Sequence, residues 1–137
     1  MNTRREQTER RGSSIKTYRD LIVWQKAHTL AKQVIIVCRS FPNNDEARII
    51  KRQLIRSATS TPANIAEGFG GQSNSSYRNF LIIARRSVNE TDYWIFLAHD
   101  LGYIKDEDCQ QFAGNCREVI MILSRIINKL GRKASKS

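Results

Sequence analysis

Two histidines, three cysteines and the carboxylates Glu67 and Glu90 are the groups in this 137-residue chain with chemistry to offer. Their spacing withholds most of it. His28 falls on the apolar seam of a helical segment and His99 near the end of another, and a lone histidine on a packed face reads as a hydrogen-bonded core or boundary residue rather than a base. Di-iron bundles need Glu-x-x-His pairs on facing helices, and none occurs. Cys109 and Cys116 stand seven apart with no histidine nearby, so zinc spacing is absent and neither a metal nor a cofactor is expected. With an odd count and no CxxC pair, Cys38, Cys109 and Cys116 read as buried reduced thiols. Gly68-Phe69-Gly70-Gly71 ends a helix instead of opening one after a strand, so it is a linker and not a phosphate loop. No nucleophile elbow or dinucleotide fingerprint is present. The chain reads as a non-enzyme.

The two carboxylates suit a structural role better. Glu90 falls on the otherwise apolar stripe of positions 80, 83, 87, 94 and 97, and a carboxylate on a buried seam must be paired or neutralised. Glu67 and Glu90 are therefore expected to anchor a polar network that fixes helix register, with Gln53, Asn64 or an arginine as partners. An acid/base pair is the alternative, and it lacks a nucleophile or metal to act on.

Basic residues carry the stronger signal. Arg48, Arg52 and Arg56 recur at i, i+4 and i+8 with Lys51 beside them, and Arg78, Arg85 and Arg86 follow on the next helix. An ordinary solvated face explains one such stripe; two on consecutive helices point to phosphate. The formal net charge of +10 supports a polyanion as partner. Residues 1–19 contribute +4 and residues 131–137 contribute +3, leaving +3 for the body. No recognition motif or aromatic platform is apparent, so contact is expected to be backbone-directed.

These side chains are positioned by four segments of helical periodicity, with no sustained alternation. They run from about Asp20 to Ser40, Asp45 to Phe69 with Pro62 inside, Asn74 to Leu101, and Asp106 to Leu130. The fold expected is all-α: an antiparallel up-down-up-down four-helix bundle over residues 20–130, between basic flexible tails at 1–19 and 131–137. Doubled apolar stripes on the first, third and fourth helices exceed the roughly 100° face a monomeric bundle needs, which predicts homo-oligomerisation. The longest apolar run, Val34 to Cys38, is far short of the ~20 residues of a membrane span. The N-terminus has no apolar stretch behind its basic residues, so it is not read as a secretory signal, and a cytoplasmic location is expected.

Several ordered motifs resemble the four-helix-bundle proteins encoded in 23S ribosomal RNA intervening sequences. They are Tyr18-Arg19-Asp20-Leu21-Ile22-Val23-Trp24-Gln25-Lys26-Ala27, Phe41-Pro42 with Glu46, and Gln53-Leu54-Ile55-Arg56. The Thr61-Pro62-Ala63-Asn64-Ile65-Ala66-Glu67-Gly68 stretch is the most specific, and Phe80 to Glu90 resembles the third-helix motif. The match covers about residues 18–130. It implies a bundle that assembles into a homopentameric ring. A related member, the accessory variability determinant of diversity-generating retroelements, is basic, binds nucleic acid and associates with a reverse transcriptase. One departure stands out: members commonly have Arg-Gly-Ser where this chain has Arg85-Arg86-Ser87, which either disturbs local helix packing or puts Arg86 at an interface or pore. The function expected is oligomeric nucleic-acid binding, of RNA rather than DNA. The alternative is a protein-interaction scaffold or accessory factor for a reverse transcriptase.

Overall fold

A computed structural model of the protein describes residues 15–136, and among them there are helices and no strand. A 3-10 turn at Tyr18–Asp20 leads into α1 (Ile22–Cys38), α2 (Asp45–Phe69), α3 (Asn74–Asp100) and α4 (Asp106–Lys136). Each start has a local cause. Thr17 and Asp20 form a reciprocal capping box around the first turn, and the Lys16 and Thr17 amides donate to the Asp20 carboxylate at 2.8 and 3.0 Å. Those two backbone bonds hold the Asp20 carboxyl below its usual range. The Asn44 side chain accepts from the Ala47 amide at 2.8 Å and opens α2, with Asp45 and Glu46 in its positive first turn. Ser73 does the same for α3, and Asp106, Glu107 and Asp108 fill the first turn of α4. Between α3 and α4 the backbone turns through Gly102 at φ +81°, a conformation that side chains resist.

Both ends differ from the expected boundaries. Order begins before residue 20, because Ile15 and Tyr18 already pack on the core; residues 1–14 of the expected N-terminal tail lie outside the described residues. At the other end α4 continues through Gly131 to Lys136 instead of stopping at Leu130. Gly131 costs about 1 kcal/mol in a helix, but here it makes room: a Cβ on it would sit 3.1 Å from the Arg78 Nε.

The core forms where four faces meet, around Leu21, Leu30, Leu54, Ile65, Tyr77 and Leu123, all fully buried. Consecutive helices pack side by side, most extensively α2 with α3 and α3 with α4, and α1 closes the circuit against α4 along the thinnest seam. Among the described residues the backbones of α1 and α3 do not approach closely, nor do those of α2 and α4, so each pair sits across a diagonal. Ser57 bonds Thr91 while Ser60 bonds Ser87, so α2 and α3 run in opposite directions. Arg85 with Ser124 and Arg78 with Ile127 set the same relation for α3 and α4.

The α2–α3 seam is unusually close and polar. Thr91, fully buried, bonds Ser57 Oγ at 2.9 Å and donates to the Ser87 carbonyl at 2.8 Å, while Ser87 Oγ meets Ser60 Oγ at 3.0 Å. Asn64 extends the ladder through the Ser60 carbonyl and hydroxyl at 2.8 and 2.9 Å. Small residues let the helices approach: a Cβ on Gly68 would lie 2.7 Å from the Phe80 Cβ and 3.1 Å from Tyr77 Cδ1. Pro62 is buried within an unbroken α2. Gly68→Ala tests the seam. Helix propensity alone favours alanine by about 1 kcal/mol, yet overpacking is expected to outweigh it and leave the variant about 1–3 kcal/mol less stable in urea unfolding.

Candidate nucleic-acid interface

The polar network expected around Glu90 forms in part. Arg56 makes an ion pair with Glu90 and donates to Gln53 Oε1 through Nε and Nη2 at 3.1 and 3.0 Å. Trp94 Nε1 reaches the same Glu90 oxygen at 3.3 Å. Glu67 stands apart: it is exposed on the outer side of α2. Asn64 belongs to the hydroxyl ladder and not to the carboxylate group. Glu90 itself lies at the edge of the seam, with 39% of its side chain exposed, which is how an ionised carboxylate is tolerated there.

The structure sorts the seven arginines and lysines of the two stripes into different environments. Arg48 pairs with Asp45 and donates to Asn43 at 2.8 Å. Lys51 is half-buried, and its charge is felt by the buried Cys38 thiol. Arg52 is exposed and makes no hydrogen bond or ion pair with a described residue. Arg78 and Arg85 turn sideways onto α4, donating to the Ile127 carbonyl and to Ser124 Oγ, each at 3.2 Å. Arg86 points outward, exposed, directly across α3 from the buried Ala84, Val88 and Thr91 face. The α2 stripe is therefore partly neutralised by its own neighbours, which i, i+4 spacing could not reveal.

A different concentration of charge appears along the α3–α4 hairpin. Residues 74–89 and 119–132 carry Arg78, Arg85, Arg86, Arg125, Lys129 and Arg132 and no acidic residue. Because the two helices run in opposite directions, these segments lie side by side at the open end of the hairpin. The intervening residues 90–118 hold seven acids, Glu90, Asp92, Asp100, Asp106, Glu107, Asp108 and Glu118, against Lys105 and Arg117. One hairpin thus presents a basic end and an acidic tip. Arg125, Lys129 and Arg132 escaped sequence reading because they join Arg78 and Arg85 only across the α3–α4 seam.

Other groups are spoken for. Burial pushes the Cys38 thiol up to about 11 and Cys116 to about 12, so neither is a nucleophile at neutral pH. Cys109 is also raised, first by desolvation and then by Asp92, Asp106 and Asp100. His99 bonds Asp106 at the hairpin tip. His28 is exposed, not on the core seam as expected, because α1 buries its other stripe, Ala27, Leu30 and Val34. Its ring stacks on Trp24 at 4.6 Å, with Tyr18 edge-on beyond. Between α1 and α4 runs an open groove of about 420 Å³, polar and crossed by a Lys26–Glu118 ion pair at 3.0 Å and an Asn115–Gln33 bond at 3.5 Å. Among the described residues no three His, Cys, Asp or Glu side chains converge as a metal site, and no helix is long and apolar enough to cross a membrane.

The sequence model of the 23S rRNA-intervening sequence proteins matches residues 19–125. This chain belongs to the 23S rRNA-intervening sequence protein family. The crystal structure of a protein of unknown function from the S23 ribosomal protein family of Bacteroides thetaiotaomicron is 30% identical, with a TM-score of 0.72 over 77% of this chain and 98% of that one. No functionally curated protein matches. In this 23S rRNA-intervening sequence protein Arg86 meets no packing conflict, since the position faces outward.

Two measurements check these environments. Thr91→Val removes a buried hydroxyl with two partners and is expected to cost about 1–2 kcal/mol, whereas Glu90→Gln, at a half-exposed ion pair, costs about 0–1 kcal/mol; urea unfolding of both reads the difference. The thiols give a pH signature. Their folded pKa values of about 11 and 12 lie above the ordinary 9.0, so this stability is complete below pH 9 and is lost as pH rises through 11 and 12. Stability of a Cys38→Ala, Cys116→Ala variant should fall less steeply from pH 9 to 11 than that of the parent.

Proposed function

We propose that this protein is a non-enzymatic, cytoplasmic nucleic-acid-binding protein, working as a homopentameric ring of up-down-up-down bundles, with RNA as its preferred ligand. One observation carries the reading: at the open end of the α3–α4 hairpin the two helices bring six basic side chains to one place, and neither segment contributes an acidic residue. A phosphate backbone is the polyanion that such an array suits, because guanidinium and ammonium groups neutralise phosphates and release their counterions. Arg78 and Arg85 are held on α4 and preset in position, while Arg86 is exposed and open to contact. Arg52 adds a further exposed charge on α2. Repetition around a ring multiplies the array.

Salt titration tests this. Binding to a structured RNA should weaken steeply with salt, the logarithmic slope being about −0.9 per phosphate neutralised on a duplex and about −0.7 on a single strand. Charge reversal at Arg86 and Arg125 should lower affinity at least tenfold and flatten that slope, while reversal at Arg48, already paired with Asp45, should change little. Undetectable binding at low salt, or affinity indifferent to Arg86 and Arg125, rejects the reading.

A further inference from the structure

The oligomer proposed above needs a surface, and two outward faces match each other. On α3, Asp92, Phe96 and Asp100 stand at i−4, i and i+4, a single exposed line with an aromatic ring between two carboxylates. Phe96 is 60% exposed, with Tyr93 beside it at 55%. On α1, Lys32, Ile36 and Arg39 form the converse line, a 57%-exposed aliphatic side chain between two cations. Beside Ile36 the α1–α4 seam opens into a largely apolar recess of about 230 Å³, floored by Val37 and Phe112 and edged by Asp108 and two glutamines.

Their placement makes them complementary. α1 and α3 lie across the diagonal of the bundle, so the two lines stand on separate outer faces. They also stand at one height. Eleven residues on from Arg85 is Phe96 and eleven back from its partner Ser124 is Ala113, while Gln33 of α1 bonds Asn115. Phe96 and the Gln33–Ile36 turn thus share a level on α4. A knob and a recess of opposite charge at one height make a head-to-tail contact, which closes into a ring where the angle between the two faces sets the rotation from copy to copy.

We propose that the outer face of α3 docks on the outer face of α1 in a second copy of this chain, Phe96 entering the recess beside Ile36 while Asp92 and Asp100 meet Lys32 and Arg39. The contact is heterologous: each copy offers one knob and one recess. This proposal rests on the oligomeric reading, and the test separates the two.

Light scattering over a concentration series reads the assembly, with circular dichroism to confirm that each variant keeps its helices. Phe96→Arg and Ile36→Asp, both at exposed positions, should each reduce the parent oligomer to single chains. Mixed in equal amounts they should form a 1:1 dimer and nothing larger, because only one intact knob and one intact recess remain. The charge reversals D92K with D100K, and K32D with R39D, should each weaken assembly at least tenfold and restore it when mixed. A parent that is monomeric at every concentration overturns the oligomeric reading and this contact with it. A parent oligomer that survives both Phe96→Arg and Ile36→Asp, or two variants that stay monomeric when mixed, overturns this contact alone.

Discussion

The close approach of α2 and α3 is the constraint on which the rest of this molecule depends. Where Gly68 meets Phe80 there is no room for even a Cβ, and hydroxyls instead of aliphatic side chains fill the layer above. Apolar packing alone allows one helix to slide on another by a turn at modest cost, because one leucine resembles the next. A chain of hydrogen bonds does not slide, since a displaced Thr91 would bury an unsatisfied hydroxyl. The ladder fixes the height and rotation of α3, and α3 in turn carries the side chains that seat α4. Arg78 over Gly131 and Arg85 on Ser124 are consequences of that placement.

Local pairing decides which basic residues matter for a polyanion. A guanidinium engaged by a carboxylate contributes little net field, and its partner must be displaced before a phosphate can take its place. Arg48 and Arg56 are in that state, whereas Arg86 and Arg125 stand exposed on stretches of α3 and α4 that carry no acid of their own. Net charge conceals the distinction. A body of +3 is compatible with a uniform surface and with a hairpin that is basic at one end and acidic at the other; this chain is the second case.

Helices were legible in the sequence because three–four periodicity is local: the starts expected at about Asp45, Asn74 and Asp106 are where the structure places them. Family membership was legible too, through the Thr61–Gly68 stretch within the matched region. What remained hidden is what depends on two helices at once. His28 looked buried because α1 carries two stripes, and only the packing of α2 and α4 selects between them. Glu67 was expected to anchor the same network as Glu90 because both are carboxylates near apolar positions, yet α2 turns Glu67 outward. Thr91 owes its place in the core to its bond with Ser57 across the seam, which no single-helix pattern reveals. The end of α4 was misplaced because Gly131 reads as a stop unless the Arg78 guanidinium beside it is known.

Axial charge and lateral stickiness are two independent properties of this bundle, and together they restrict how copies can combine. A two-fold axis perpendicular to the helices would set the basic end of one hairpin beside the acidic tip of another, cancelling the field that the proposed function requires. Rotation about an axis parallel to the helices keeps every basic end on one side. The proposed contact between the Asp92–Phe96–Asp100 and Lys32–Ile36–Arg39 lines selects the second arrangement, since the lines lie at one height on separate faces and are not self-complementary. Like charges gathered on one rim repel, at a cost that falls with ionic strength. A bound phosphate backbone removes that repulsion altogether. The proposed ring assembly and polyanion binding would in this sense be linked equilibria, each favouring the other through the same set of arginines.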